Sequence, residues 1–170
     1  MHALQEIDVH GKADRHMKLL TLERERSLGS LWDQKQCAQF CSKDELWEAA
    51  KEEEVQEGLP VPEDQYQERF WRRRLDGIGL DTVNKQFLAI EFKRTQDMRS
   101  NYAERATAVA QAQYSSLLES LRAVGQVKGW QTQQIVFVGG TCGSVHVESF
   151  NKNMKALGFL RASGIRFVKN

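Results

Sequence analysis

The spacing of apolar residues changes twice along the chain, and each change marks a different kind of element. From Asp14 to about Phe40, Met17, Leu20, Leu28, Leu31 and Trp32 stand among charges with only Gly29 as a turn signal, which predicts one or two amphipathic helices. Ser42 and Glu45 have the spacing of a capping box, and Leu46, Trp47 and Ala50 begin a helix that runs into KEEEVQE, read as a solvated acidic face. GLPVPEDQ holds both prolines of the chain and predicts a linker. Beyond it the period turns strand-like, with ERFWRRRLDGIGLD and QFLAIEFKRT flanking the polar turn TVNK as a β-hairpin.

Helical spacing returns from about Ser100 to Val124, where Ala103, Ala106, Ala110, Tyr114, Leu117, Leu121 and Val124 share one face of a single long helix. QQIVFVGG, uncharged and rich in β-branched residues, predicts a fully buried strand closed by glycines. In SVHVESFNKNMKALG, Phe150, Met154 and Leu157 recur at helical spacing before Gly158, placed to end the helix, and a short strand-like IRFV follows. This order implies an α/β fold, a central mixed β-sheet flanked by helices. Residues 1–57 are expected to form an N-terminal helical extension and residues 58–170 the core, within one compact domain.

Composition narrows the class. At 170 residues, 41% apolar and 28% charged, the chain suits one globular domain with a full hydrophobic core. Its 24 basic and 23 acidic residues leave a net charge of +1, so any surface for a polyanion must be local. Cys37, Cys41 and Cys142 are too few and too uneven for a disulfide framework, which predicts a reducing, intracellular setting, nuclear or cytoplasmic. No apolar run approaches the roughly 18 residues that span a bilayer, and MHALQEIDVHGK has no apolar signal core, so neither a membrane nor a secreted setting is expected.

The chemistry concentrates on the hairpin. Alternation along FLAIEFK puts Phe87, Ala89, Glu91 and Lys93 on one face and Leu88, Ile90 and Phe92 on the other. An acid and a base side by side near buried surface are costly as mere structure. The preceding strand offers Asp76 beside Gly77, and pairing of the strands would bring Asp76 near Glu91. Two adjacent carboxylates repel unless a cation lies between them, and oxygen ligands of this kind suit Mg²⁺ or Mn²⁺. With Lys93 to stabilise charge developing on phosphorus, the set points to phosphodiester hydrolysis.

Asp76, then Glu91-x-Lys93 fifteen positions on, in RRLDGIGLD and AIEFKRT, resembles the signature of the PD-(D/E)xK nuclease superfamily. Leu75 stands where that signature often has proline. The resemblance implies a restriction-endonuclease-like core, built as a helix, three strands, a helix and a strand. It also implies a DNA endonuclease in which Asp76, Glu91 and the Phe92 carbonyl hold the metal and Lys93 assists the water. Members often carry a glutamine on the helix after the E-x-K strand, a place that Gln113 would fill, although Gln111, Gln113 and Tyr114 do not reproduce the Q-x-x-x-Y form. Some relatives add a glutamate from the first helix, for which Glu45, Glu63 and Glu68 are the candidates. FKRT and VHVESFNKN are also similar to restriction-like endonuclease domains of retroelement (retrotransposon) polyproteins, and a homodimer would suit cutting of both strands.

The competing readings are simpler. Asp76 could be a turn aspartate, and Glu91 with Lys93 an exposed cross-strand pair worth under about 1 kcal/mol. Arg69, Arg72, Arg73 and Arg74 before Asp76, and Arg94, Arg99 and Arg105 after Lys93, crowd the candidate centre and could hold a DNA backbone, or could answer the acidic run at residues 52–57. Trp71 and Tyr102 could stack on bases, although aromatic residues there more often belong to a core. Cys37-x-x-x-Cys41 with His10 and His16 lacks zinc-site spacing, His146 reads as structural, and the Gly139–Gly143 segment lacks the ending of a phosphate-binding loop. A non-catalytic module of the same fold, binding nucleic acid or protein within a larger polyprotein, is the alternative from another class.

Overall fold

The computed structural model describes residues 17–20, 26–57, 62–96 and 100–158. Along the chain run β1 (Met17–Leu20), β2 (Arg26–Ser27), α1 (Leu28–Trp32), α2 (Lys35–Phe40), α3 (Lys43–Glu57) and α4 (Glu63–Arg72). Then come β3 (Arg74–Leu75), β4 (Gly77–Asp81), β5 (Gln86–Thr95), α5 (Tyr102–Gln113), α6 (Ser115–Val127), β6 (Gln131–Gly140) and α7 (Val147–Ala156). His10, His16, Arg99 and the IRFV segment lie outside the described residues.

β4, β5 and β6 form a mixed sheet that β1 extends at one edge, in the order β1-β4-β5-β6. The hairpin is present: Gly77 to Asp81 pairs antiparallel with Ile90 to Gln86. Asp81 fixes its turn, accepting the Val83 and Asn84 backbone N–H groups on Oδ1, both at 2.9 Å. β5 runs parallel to β6 over ten residue pairs, from Gln86↔Gln131 to Thr95↔Gly140. A parallel pair needs a crossover, and α5 with α6 supplies it. From the hairpin to Gly158 the order is hairpin, helical crossover, strand, helix, as the sequence implies, with two helices in place of the expected one.

Alternation in β5 sorts the two sides of the sheet. Phe87 and Ala89 join a core with Leu28, Leu31, Trp32, Phe40, Leu46 and Leu117, while Leu88 and Ile90 pack with Ile135, Phe137, Met154 and Leu157 beneath α7. Helices therefore cover both faces, and the N-terminal helices share one core with the sheet. Gly158, at φ 84°, follows α7 as the sequence indicated. Ser42 Oγ accepts the Glu45 N–H at 3.1 Å and Glu45 Oε2 accepts the Ser42 N–H at 2.8 Å, so the capping box forms. Among the described residues no helix is long and apolar enough to cross a membrane.

Three local expectations are corrected. Met17–Leu20 is a strand, because pairing with Asp81 to Ile78 of β4 satisfies its backbone, a partner 60 residues away that helical spacing cannot reveal. EDQ, expected in the linker, and ERFWR, expected as strand, both belong to α4: Tyr66 and Phe70 face the core four residues apart, and acids open and arginines close the helix, matching its dipole. The long helix breaks at Tyr114, where the Ser115 hydroxyl donates to the Ala112 carbonyl at 3.1 Å and the chain restarts as α6.

Candidate active site

The β4–β5 pairing ends at Gly77↔Ile90, and the site begins where the strands part. Asp76 occupies the bend between β3 and β4, and its Oδ2 accepts the Phe92 backbone N–H at 2.6 Å. The N–H and C=O of one residue leave an extended strand on the same edge, so the Phe92 carbonyl is turned toward the Asp76 side as well. Glu91 and Lys93 continue the face of Phe87 and Ala89, and there they meet the junction of α5 and α6.

Lys93 Nζ lies 2.7 Å from Glu91 Oε1, donates to Gln113 Oε1 at 2.8 Å and sits 6.0 Å from the centre of the Tyr114 ring. Glu91 is only 5% exposed, and its Oε2 is buried without a hydrogen-bond partner among the described residues. Burial first, and then the charge of Asp76, holds the Glu91 carboxyl above the usual carboxylate range, against the pull of the Lys93 ammonium. The Tyr114 hydroxyl lies beside these acids but gives its proton to the Arg74 carbonyl, 2.8 Å away. Burial and the two carboxylates push that phenol well above its ordinary pKa. The bond ties the helix junction to the chain just before Asp76.

Asp76, Glu91, Lys93 and Gln113 are thus gathered, and the donor set can be tested against a cation. Each carboxylate has one oxygen engaged, Glu91 by Lys93 and Asp76 by Phe92, and Glu91 Oε2 is an orphaned buried acceptor. Among the described residues no group of three or more His, Cys, Asp or Glu is assembled. Mg²⁺ commonly binds through one or two carboxylates and keeps several waters, so two acids with a backbone carbonyl fit that ion and would not fit zinc.

The arginines divide. Arg72 is exposed and paired with Glu68 on α4, at 2.5 Å. Arg74 is exposed at the start of β3, and Arg94 is exposed on β5 one residue beyond Lys93. Among the glutamates suggested for a further ligand, Glu45 serves the capping box and pairs with Lys128 at 2.7 Å, Glu68 pairs with Arg72, and Glu63 is exposed in the first turn of α4. What sequence reasoning missed is Glu54, assigned to a solvated face yet only 8% exposed. It is bonded to Arg73 through both oxygens, one of them at 2.7 Å, and accepts from the Ser116 hydroxyl at 2.6 Å. Lys-Glu-Glu-Glu gives no hint which acid turns inward.

Cys37 and Cys41 are buried and free, their thiols pushed by burial up to about 12 and about 11, which suits inert core residues. His146 caps α7, its Nδ1 accepting the Ser149 N–H at 3.4 Å. Comparison of the chain with protein-family models, with curated proteins and with solved structures finds no match.

Proposed function

We propose that this chain is a metal-dependent endonuclease with a restriction-endonuclease-like core, hydrolysing phosphodiester bonds in DNA with Mg²⁺ or Mn²⁺, in the manner of the retroelement domains its sequence resembles. The observation that carries the reading is the buried Glu91 carboxylate, its Oε2 without a hydrogen-bond partner among the described residues, set next to Asp76 and beside a lysine held by Gln113. Asp76, Glu91 and the Phe92 carbonyl would hold the cation. When bound, it would supply Lewis-acid charge and a water acidified toward neutral pH. Lys93 stabilises the negative charge that grows on the phosphoryl oxygens as the bond to the departing sugar oxygen breaks. Gln113 orients the Lys93 ammonium, and Tyr114 fixes the chain before Asp76. A homodimer would present a second centre to the opposite strand.

One observation favours a second reading, a nuclease fold that binds nucleic acid or protein without cutting it. The Glu91–Lys93 ion pair gives the buried acid a counter-charge from the chain itself, so a cation is not the sole partner open to it. Supercoiled plasmid and single-stranded DNA incubated with the chain in EDTA, Mg²⁺ and Mn²⁺ separate the two. The nuclease reading expects cleavage with either cation, abolished by Asp76→Ala and cut about 100-fold or more by Lys93→Ala. Cleavage that persists unchanged in Asp76→Ala marks a contaminant. Bound but intact DNA under every condition selects the non-cutting module.

A further inference from the structure

A groove of about 730 Å³ opens directly from Lys93, between the end of β5 and α5. Lys93, Arg94 and Gln96 line one wall, and Tyr102, Arg105 and Val109 the other. With Ala106, the α5 residues are spaced i, i+3, i+4 and i+7, so they form a continuous stripe on the helix. This stripe is distinct from the buried face of α5, which carries Ala103 and Ala110. Ala106, assigned by its spacing to the core face, lines the groove. Val109 is 63% exposed there, an apolar side chain that the cores do not use.

Two properties select the occupant. In a chain of net charge +1, Arg94 and Arg105 line the groove beside Lys93, whose charge Glu91 already shares, and none of the described side chains lining it is acidic. A polyanion is therefore matched here and not across the surface at large. The stripe also sets an aromatic ring, Tyr102, and an aliphatic side chain, Val109, on either side of Arg105. In a duplex the base faces are hidden by stacking, so Tyr102 and Val109 would have nothing to touch, whereas an unpaired strand presents a base face beside each phosphate. The volume lies within the range of about 300–1,000 Å³ for pockets that enclose a small ligand, the scale of a nucleotide or two.

We propose that this groove holds an unpaired DNA strand leading to the scissile phosphate, with Tyr102 stacked on a base, Val109 as its apolar floor, and Arg94 and Arg105 on phosphates. The substrate is then DNA with a single-stranded segment at the cut site, such as a flap, a tail or an opened duplex. The link to scission rests on the nuclease reading, whereas the groove's preference for an unpaired strand does not.

The test therefore reads binding in EDTA, where no cutting occurs, by fluorescence anisotropy of labelled oligothymidine of about 12 nucleotides and of a duplex of equal length. Oligothymidine is expected to bind the more tightly. Tyr102→Ala should weaken it about tenfold and leave the duplex unchanged, whereas Tyr102→Phe should retain wild-type affinity. Arg105→Ala should lower the slope of log K against log salt by about 0.7, one phosphate contact on a single strand. Each variant is first shown to keep the wild-type melting curve. Equal affinity for the two ligands, or a folded Tyr102→Ala that binds oligothymidine like wild type, overturns the proposal. A chain that shows the expected binding but cuts nothing with Mg²⁺ or Mn²⁺ sinks the nuclease reading and leaves the groove assignment standing. Cutting of fully paired DNA with no preference for tailed substrates sinks the strand path and leaves the nuclease.

Discussion

A carboxylate 5% exposed, with one oxygen lacking a hydrogen bond among the described residues, is uncomfortable in either protonation state. Ionised, Glu91 suffers desolvation and the charge of Asp76; protonated, it loses the attraction of Lys93. Its folded pKa lies above the ordinary 4.5, so the folded chain holds this proton more tightly than the unfolded chain does. Stability in EDTA should then fall as pH rises above 4.5, through a window that ends at the raised value. Glu91→Gln, which has no proton to lose, should lack that loss when melting is followed from pH 4 to 8. A divalent cation reverses the balance by favouring the ionised acid. At pH 7, Mn²⁺ at about 100 times its Kd should add about 2.7 kcal/mol, or about 5–10 °C in Tm, to the wild type only. A wild-type melting curve indifferent to Mn²⁺ would remove the cation from the site. Alternation along FLAIEFK made Glu91 and Lys93 legible as neighbours in the sequence. The unpartnered oxygen was not, since it depends on the burial that the helix junction provides.

Elements were legible where their stabilisation is local and obscure where it comes from afar. The capping box, the hairpin, the stop at Gly158 and the existence of the charge-free strand each carry their cause within a few residues; that strand is not fully buried as expected, because it is the sheet edge and only Ile135, Val136, Phe137 and Gly140 are covered. β1 and α4 do not, because a partner strand decides one and the core-facing pair of Tyr66 and Phe70 the other. Glu54 belongs to the second kind. From α3 it reaches Arg73, just before β3, and Ser116, at the start of α6, so three elements meet on one acid. Removing one member of such a buried pair leaves a stranded charge, and Glu54→Ala should cost about 3 kcal/mol in urea denaturation. Replacing the pair together, as Glu54→Leu with Arg73→Met, should recover most of that loss, because no charge is then left without its partner. A double variant as unstable as the single one would show that the ion pair itself stabilises the junction. The residue next to Arg73 accepts from the Tyr114 hydroxyl on its carbonyl, and the network ends at Arg73, three residues before Asp76.

The molecule as a whole is a sheet between two unequal layers. Above the α7 side, a small cluster of Leu88, Ile90, Ile135, Phe137 and Met154 closes the core. On the other side, α1 to α4 and α6 build the larger one, and there the chain before residue 57 is not an appendage. The Phe40 ring lies 4.6 Å from that of Phe87, and Trp32 lies 5.8 Å from it, so the N-terminal helices pack on the very face of β5 that carries Glu91 and Lys93 further along. Cutting the chain at residue 57 would strip Leu28, Leu31, Trp32, Phe40, Leu46 and Trp47 from this core. At about 1.5–3 kcal/mol for each large apolar side chain, the loss matches or exceeds the roughly 5–15 kcal/mol by which a domain is stable. Residues 58–170 expressed alone should therefore show no cooperative thermal transition by circular dichroism and should bind a dye for exposed apolar surface. Adding residues 1–57 as a separate chain should restore the transition if the shared core is what was missing. A truncated chain that melts cooperatively by itself would mean that the sheet and α7 suffice, and that the helical layer serves something other than folding.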